Sequence, residues 1–258
     1  MLAEVLVALY EESFAAQYAV MRERVGGTGP LTVEDVIAAV PLPFSVTSRQ
    51  DHALRSQVLA VAGTNSILRD KLAESLRALG HTVTLTREPG GSPGAEEIRA
   101  LVLQGDPDRW SAETELLLFT AARRDHLEKT IRPALARGAV VVADRFTDAS
   151  FAYQGGGRGL DMGRIAELER WAAGIKPDLT LLLDVGVAQG LARARARGGE
   201  PDRIERERED FFERVRATYL ARAAAEPARF RVVDASQPVQ AVREAVQAAL
   251  ADWLGSRA

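Results

Sequence analysis

From Val58 onward five short apolar runs alternate with stretches of helix length, and that alternation constrains the fold more than any other feature of the chain. The runs are Val58–Ala62, 82–86, 139–143, Leu179–Asp184 and Phe230–Asp234. Helices are expected at 66–79, 94–104, 112–137, 162–173, 187–197, 205–225 and 238–253. Strands joined through helices form a parallel sheet covered on both faces. Residues 53–258 therefore read as one α/β domain with a five-stranded parallel sheet and no internal repeat. Pro133 lies inside the third helical stretch and must kink or divide it, because its ring excludes a continuous hydrogen-bond ladder.

The third run leads into the most informative segment, Val140–Gly157, which reads VVVADRFTDASFAYQGGG. A buried parallel strand here ends in Asp144-Arg145 and passes into a polar, glycine-rich loop. Ligands of open α/β sheets sit beyond the carboxyl ends of the strands, so an acid and a guanidinium there can hold a metal and a phosphate. The same pair taken alone is equally compatible with a structural ion pair.

Composition narrows the rest. With a net charge of -3, the 258-residue chain lacks the broad basic surface of a duplex nucleic-acid binder, so any anion binding must be local. The absence of cysteine excludes disulfides, thiolate metal sites and a cysteine nucleophile. His52, His81 and His126 are scattered and read as surface or loop residues. No stretch has the apolar length of a membrane span and residues 1–10 lack a basic start, which makes the cytoplasm the expected compartment. Residues 2–24 carry Val5, Leu6, Leu9, Phe14, Tyr18 and Met21 at helical spacing. Gly26–Pro30 stops that helix, a shorter one runs from Thr32 to Val40, and Pro41, Pro43 and the polar run to Asp51 form a linker. Residues 1–52 are thus a helical extension, docked on the main domain or, alternatively, binding a partner.

Several segments of the larger unit are together distinctive: Thr86–Gly91 (TREPGG), 118–123 (LFTAAR), Asp144-Arg145-Phe146, 152–159 (AYQGGGRG), 193–197 (RARAR) with 202–205 (DRIE), and 211–216 (FFERVR). In order and spacing, from about Leu68 to the C-terminus, they resemble the bacterial thymidylate kinase family. The resemblance implies a P-loop NTPase-like three-layer αβα domain that transfers the γ-phosphoryl group of ATP to dTMP with magnesium, and a homodimer.

Residue by residue, the resemblance implies that Phe119 stacks on thymine and Arg123 bonds its carbonyl. Four residues apart on a helix, the two share a face. Pro89 would line the base pocket, with Arg87 and Glu88 as its support. Ser150, Tyr153 and Gln154 would meet the base edge and deoxyribose, Tyr153 crowding the sugar's 2′ position. Arg145 would grip the acceptor phosphate and Asp144 would act through magnesium or an ordered water. Arg193, Arg197 and Arg203 would belong to a lid whose arginines neutralise the transferring phosphoryl group. Ser236 and Gln237, after the fifth run, would cradle adenine.

The donor side departs from the family. A phosphate loop should read G-x-x-x-x-G-K-[ST]; here Gly63-Thr64-Asn65-Ser66 is about three residues short, with Asn65 where the lysine belongs and Ser66 at its hydroxyl neighbour. Losing one preorganised donor costs about 2.7–4 kcal/mol of transition-state stabilisation, and Lys71 is too far along the helix to replace it. Two readings follow: a thymidylate kinase, or a homologue that binds dTMP or a protein partner without using ATP.

Overall fold

The computed structural model describes residues 58–62, 66–196 and 201–255. The chain divides into two units, Met1–Asp51 and His52–Ala258, and all described residues belong to the second. The N-terminal helices and linker, His52, Gly63, Thr64, Asn65 and Arg197 lie outside the described residues.

Five strands form one sheet: β1 (Val58–Ala62), β2 (Val83–Arg87), β3 (Val140–Asp144), β4 (Leu179–Asp184) and β5 (Phe230–Asp234). Their order is β2-β3-β1-β4-β5 and every pairing is parallel. Strands β2 and β3 end one residue later than their apolar runs suggest, because the ladder continues through Arg87 opposite Asp144. Side-chain alternation separates the two faces. Val140, Val142, Leu179 and Leu181 pack with Leu72 and Leu76 of α1 (Ser66–Ala78) and with Val246 and Leu250 of α9 (Val239–Gly255). Val141 faces the other way, against Leu127 and Ile131.

The remaining helices are α2 (Pro93–Leu103), α3 (Ala112–His126), α4 (Arg132–Ala136), α5 (Thr147–Ser150), α6 (Met162–Ala172), α7 (Val187–Ala196) and α8 (Glu209–Ala225). Pro133 acts as expected: a π-helical turn, Leu127–Ile131, separates α3 from α4 and absorbs the hydrogen bond that proline cannot make. Helix α8 starts later than expected, because Asp202 accepts from the amides of Ile204 and Glu205 at 2.9 and 2.8 Å and fixes a turn there.

Two sequence expectations fail. The segment after Asp144-Arg145 is not a glycine-rich loop: α5 runs on into a π-helix, Phe151–Gly157. Its glycines serve close packing. A Cβ on Gly156 would stand 2.0 Å from Thr218 Oγ1 and one on Gly157 2.4 Å from Phe211 Cε2, so α8 can approach only a surface without side chains. Nor is His126 a surface residue. It is fully buried, with Nε2 2.6 Å from Thr86 Oγ1 and Nδ1 3.1 Å from Glu88 Oε1, because α3 turns its last residue onto the end of β2.

The connections leave β1 toward β2 and β4 toward β5. Neighbouring strands that send the chain to opposite sides open a crevice beyond their carboxyl ends.

Candidate active site

That crevice is a cavity of about 790 Å³. Pro89, Phe119, Arg123, Ser150, Tyr153 and Gln154 all line it, and so do Asp144 and Arg145. One chamber thus collects every acceptor-side residue singled out in the sequence.

Asp144 and Arg145 arrive at the end of β3. Arg145 has φ 65°, a left-handed conformation that a bulky side chain adopts at a cost of about 1–3 kcal/mol and that concentrates at functional sites. Its guanidinium lies 4.8 Å from the centre of the Tyr153 ring, a cation–π distance. Asp144 is different. Burial raises its pKa above the ordinary aspartate value, against the opposing charges of Arg145, Arg69 and Arg99, and its Oδ1 is buried without a hydrogen-bond partner. Among the described residues no cluster of three metal-ligating side chains occurs. One orphaned carboxylate oxygen in the cavity wall suits magnesium, which binds through one or two carboxylates and the substrate's own phosphates.

Arg99, on α2, is a site residue that the sequence reading missed. It lines the same cavity, donates to the Pro89 carbonyl at 2.8 Å, and has its pKa lowered by burial and then by the like charge of Arg87. Arg87, also in the wall, is paired with Glu96 at 2.9 Å. Four guanidiniums, of Arg69, Arg87, Arg99 and Arg145, therefore act on Asp144, and the last three line the cavity, an arrangement that favours a bound dianion.

The opposite wall is α3, capped by Ser111, whose hydroxyl accepts from the Thr114 amide at 3.2 Å. Phe119 and Arg123 share the face predicted for them. Arg123 is buried, at 3% exposure, and held on several sides: Nε donates to Glu88 at 2.6 Å, Nη1 to Ser150 at 2.8 Å and to Glu169, and Nη2 to the Phe146 carbonyl at 3.4 Å. Guanidinium has five N–H donors, so these four bonds leave one for a ligand. Burial raises the pKa of Glu169 despite the charge of Arg123. Glu88, expected to support Pro89, in fact braces Arg123.

The lid and donor residues fare less uniformly. Arg203 is not a lid arginine: its side chain is fully buried, bonded to the Val102 carbonyl at 2.8 Å, the Pro107 carbonyl at 3.0 Å and the Glu115 carboxylate. A side chain so held anchors the segment after the arginine cluster. Arg193 is also turned away from the cavity, donating to the Ala235 carbonyl at 2.6 Å and the Ser236 carbonyl at 3.0 Å. It thereby fixes the loop beyond β5, where Ser236 and Gln237 are exposed and outside the cavity wall. Arg195, of the same arginine cluster, lines the cavity instead, since residues two apart on a helix point to different sides. Ser66 is the first residue of α1. Asp184, at the end of β4, forms a two-pronged pair with Arg216 of α8 at 2.7 and 2.8 Å, and both line the chamber.

Glu115 completes the missed set. It stands four residues before Phe119 and eight before Arg123, on the same helical face, which was the available signal.

Comparison with known proteins agrees with this geometry. A family model described as thymidylate kinase matches residues 65–246. The chain is 57% identical over 183 residues to a thymidylate kinase of Pseudomonas putida (strain W619), covering 70% of this chain and 88% of that one. It is 56% identical over 171 residues to a thymidylate kinase of Ruegeria pomeroyi, covering 66% and 81% respectively. A crystal structure of thymidylate kinase from Ehrlichia chaffeensis superposes with a TM-score of 0.61 at 30% identity, covering 76% of this chain and 98% of that one.

Proposed function

The chain belongs to the thymidylate kinase family, and from that premise we propose that it transfers the γ-phosphoryl group of ATP to dTMP, giving dTDP. The observation that carries this reading is the meeting of an aromatic and a braced guanidinium with a cluster of guanidiniums in one cavity. The first pair suits a pyrimidine and the second a phosphate monoester. Phe119 stacks on the base and the remaining N–H of Arg123 reaches a base carbonyl. Tyr153 and Ser150 border the sugar. Arg145, Arg99 and Arg87 hold the acceptor phosphate so that one of its oxygens faces the donor, which removes the entropy cost of bringing two anions into line. Arg195 and Arg197 neutralise charge on the transferring group. Asp144 holds magnesium, which when bound screens the phosphate oxygens.

Gly63, Thr64, Asn65 and Ser66 bind the donor phosphates through backbone amides and the Ser66 hydroxyl, and Ser236 and Gln237 border the adenine. We place the enzyme in the cytoplasm, as a homodimer formed through α3 and α6, whose Leu117 and Trp171 are 56% and 74% exposed.

The test is ADP release from ATP in the presence of dTMP, dUMP or dCMP. Turnover with dTMP is expected to be fastest, and faster turnover of another acceptor would refute the substrate assignment. Asn65 in the lysine position favours a second reading, a homologue that binds dTMP without turning over ATP. Failure to bind ATP with magnesium would select it.

A further inference from the structure

The resident partners of Glu115 bear on which base the cavity accepts. Glu115 is 1% exposed and Gln154 2%. Gln154 Nε2 donates to Glu115 Oε1 at 2.9 Å, Arg158 donates to both carboxylate oxygens at 3.2 and 3.1 Å, and Arg203 donates to Oε2. Burial alone would raise the pKa of Glu115, but the bonds from Arg158, Gln154 and Arg203 outweigh it and hold the pKa below its ordinary value. The group is therefore an anion, and an ionised carboxylate only accepts.

The two ends of a glutamine amide have opposite hydrogen-bonding character, and nothing in the side chain's own shape decides which end faces which way. Beside an acceptor-only partner the choice is forced: the NH2 group faces Glu115 and the carbonyl oxygen is the end left for the cavity that Gln154 lines. A carbonyl there accepts a hydrogen bond from the imide N3–H of thymine or uracil. Cytosine offers a lone pair at the same position, so carbonyl and ring nitrogen would repel.

We infer that Glu115 is a positioning residue for base selection: by fixing the polarity of the Gln154 amide it makes the cavity choose a pyrimidine with an imide N–H over a cytosine-type base. The inference rests on the dTMP reading above and deepens it. Glu115 touches no substrate; it acts through Gln154. Thymine and uracil are not separated by this device, because both carry the imide.

The test is calorimetric titration of the full chain with dTMP and with dCMP, which needs no donor nucleotide. The unaltered chain should bind dTMP at least about 100-fold more tightly, since sites built around a hydrogen bond strongly reject ligands that cannot make it. Glu115→Gln should narrow that ratio by about 10-fold or more, the anion that ties down the amide being worth about that much. The double change E115Q/Q154E moves the carboxylate to position 154, restores an acceptor facing the cavity, and should recover the preference. Arg158→Met removes one cation from Glu115 while leaving Arg203 in place; it should lower the melting temperature and leave the ratio unchanged. An unchanged ratio in E115Q, with both affinities falling together, would overturn the inference. If E115Q lacks a cooperative melting transition, the double variant decides, and loss of the dTMP preference there would overturn it. A failure of the dTMP reading shows itself earlier, as an unaltered chain that binds neither nucleotide or prefers dCMP.

Discussion

The two walls of the cavity handle charge in opposite ways. On the base side, Arg123 is enclosed by Glu88, Glu169 and Ser150, and Glu115 by Gln154, Arg158 and Arg203. Most of these buried charges are bonded donor to acceptor, Glu169 Oε2 and one N–H of Arg123 excepted, which fixes the side chains in one geometry. On the phosphate side, Arg87, Arg99 and Arg145 crowd round Asp144, one oxygen of which has no partner. Arg87 is paired with Glu96 there, and one oxygen of Asp144 is left for a bound ligand. The braced groups position a neutral base, and the gathered guanidiniums suit an anion.

The contrast is sharpest at Arg145. Truncating one partner of a buried charge pair costs about 2–5 kcal/mol, so Arg145→Ala should weaken dTMP by at least about 30-fold. The affinity for thymidine, which lacks the phosphate, should stay unchanged in the same calorimetric experiment. Equal losses for both ligands would erase the division between the walls.

Asp148 gives the counterpart, a matched charge outside the cavity wall. It is 3% exposed and bonded by Arg222 and Arg229 at 2.7 Å. Asp148→Asn should cost about 3–5 kcal/mol in urea unfolding, because two cations lose their buried anion and keep only the less buried Glu226. The folded variant should still bind dTMP.

The matched carboxylates also set the acid limit. For Asp148 and Glu115 burial would raise the pKa, yet the arginines bonded to each bring it below the ordinary value. In the unfolded chain these groups take up protons near pH 4, before the folded chain does. Their stabilisation is therefore complete above about pH 5 and lost as pH falls through the depressed folded values. Their contribution to the urea midpoint should fall below that pH, whereas Asp144 and Glu169, whose pKa values burial raises, act in the opposite sense. In Asp148→Asn the acid limb should be shallower, since one linked group is gone.

The smallest effect is expected from Phe119→Leu. An aromatic stack is worth about 0.5–1.5 kcal/mol beyond burial, so dTMP and thymidine should each weaken by about 3- to 10-fold. A loss confined to dTMP would place Phe119 on the wrong wall.

Much of this was legible in the sequence because it follows from periodicity. Strands β1, β4 and β5 match their apolar runs to the residue, and Phe119 and Arg123 share a wall because helical spacing requires it. Asp144 and Arg145 stand beyond a strand for the same kind of reason. Contacts between distant segments were not legible. Nothing local marks His126 as buried, since its burial depends on where β2 ends, and nothing local says that Arg203 would find Glu115, 88 positions away. The glycines at 155–157 signalled a loop because glycine usually marks one; only the approach of α8 shows that they serve packing. Arg99 was missed because an arginine on an amphipathic helix normally faces water.

Whether this cavity accepts dTMP for transfer from ATP is decided by calorimetric titration of the full chain with dTMP and, separately, with ATP and magnesium. Each should bind, one per chain. Binding of dTMP without ATP, or of neither, would contradict that expectation.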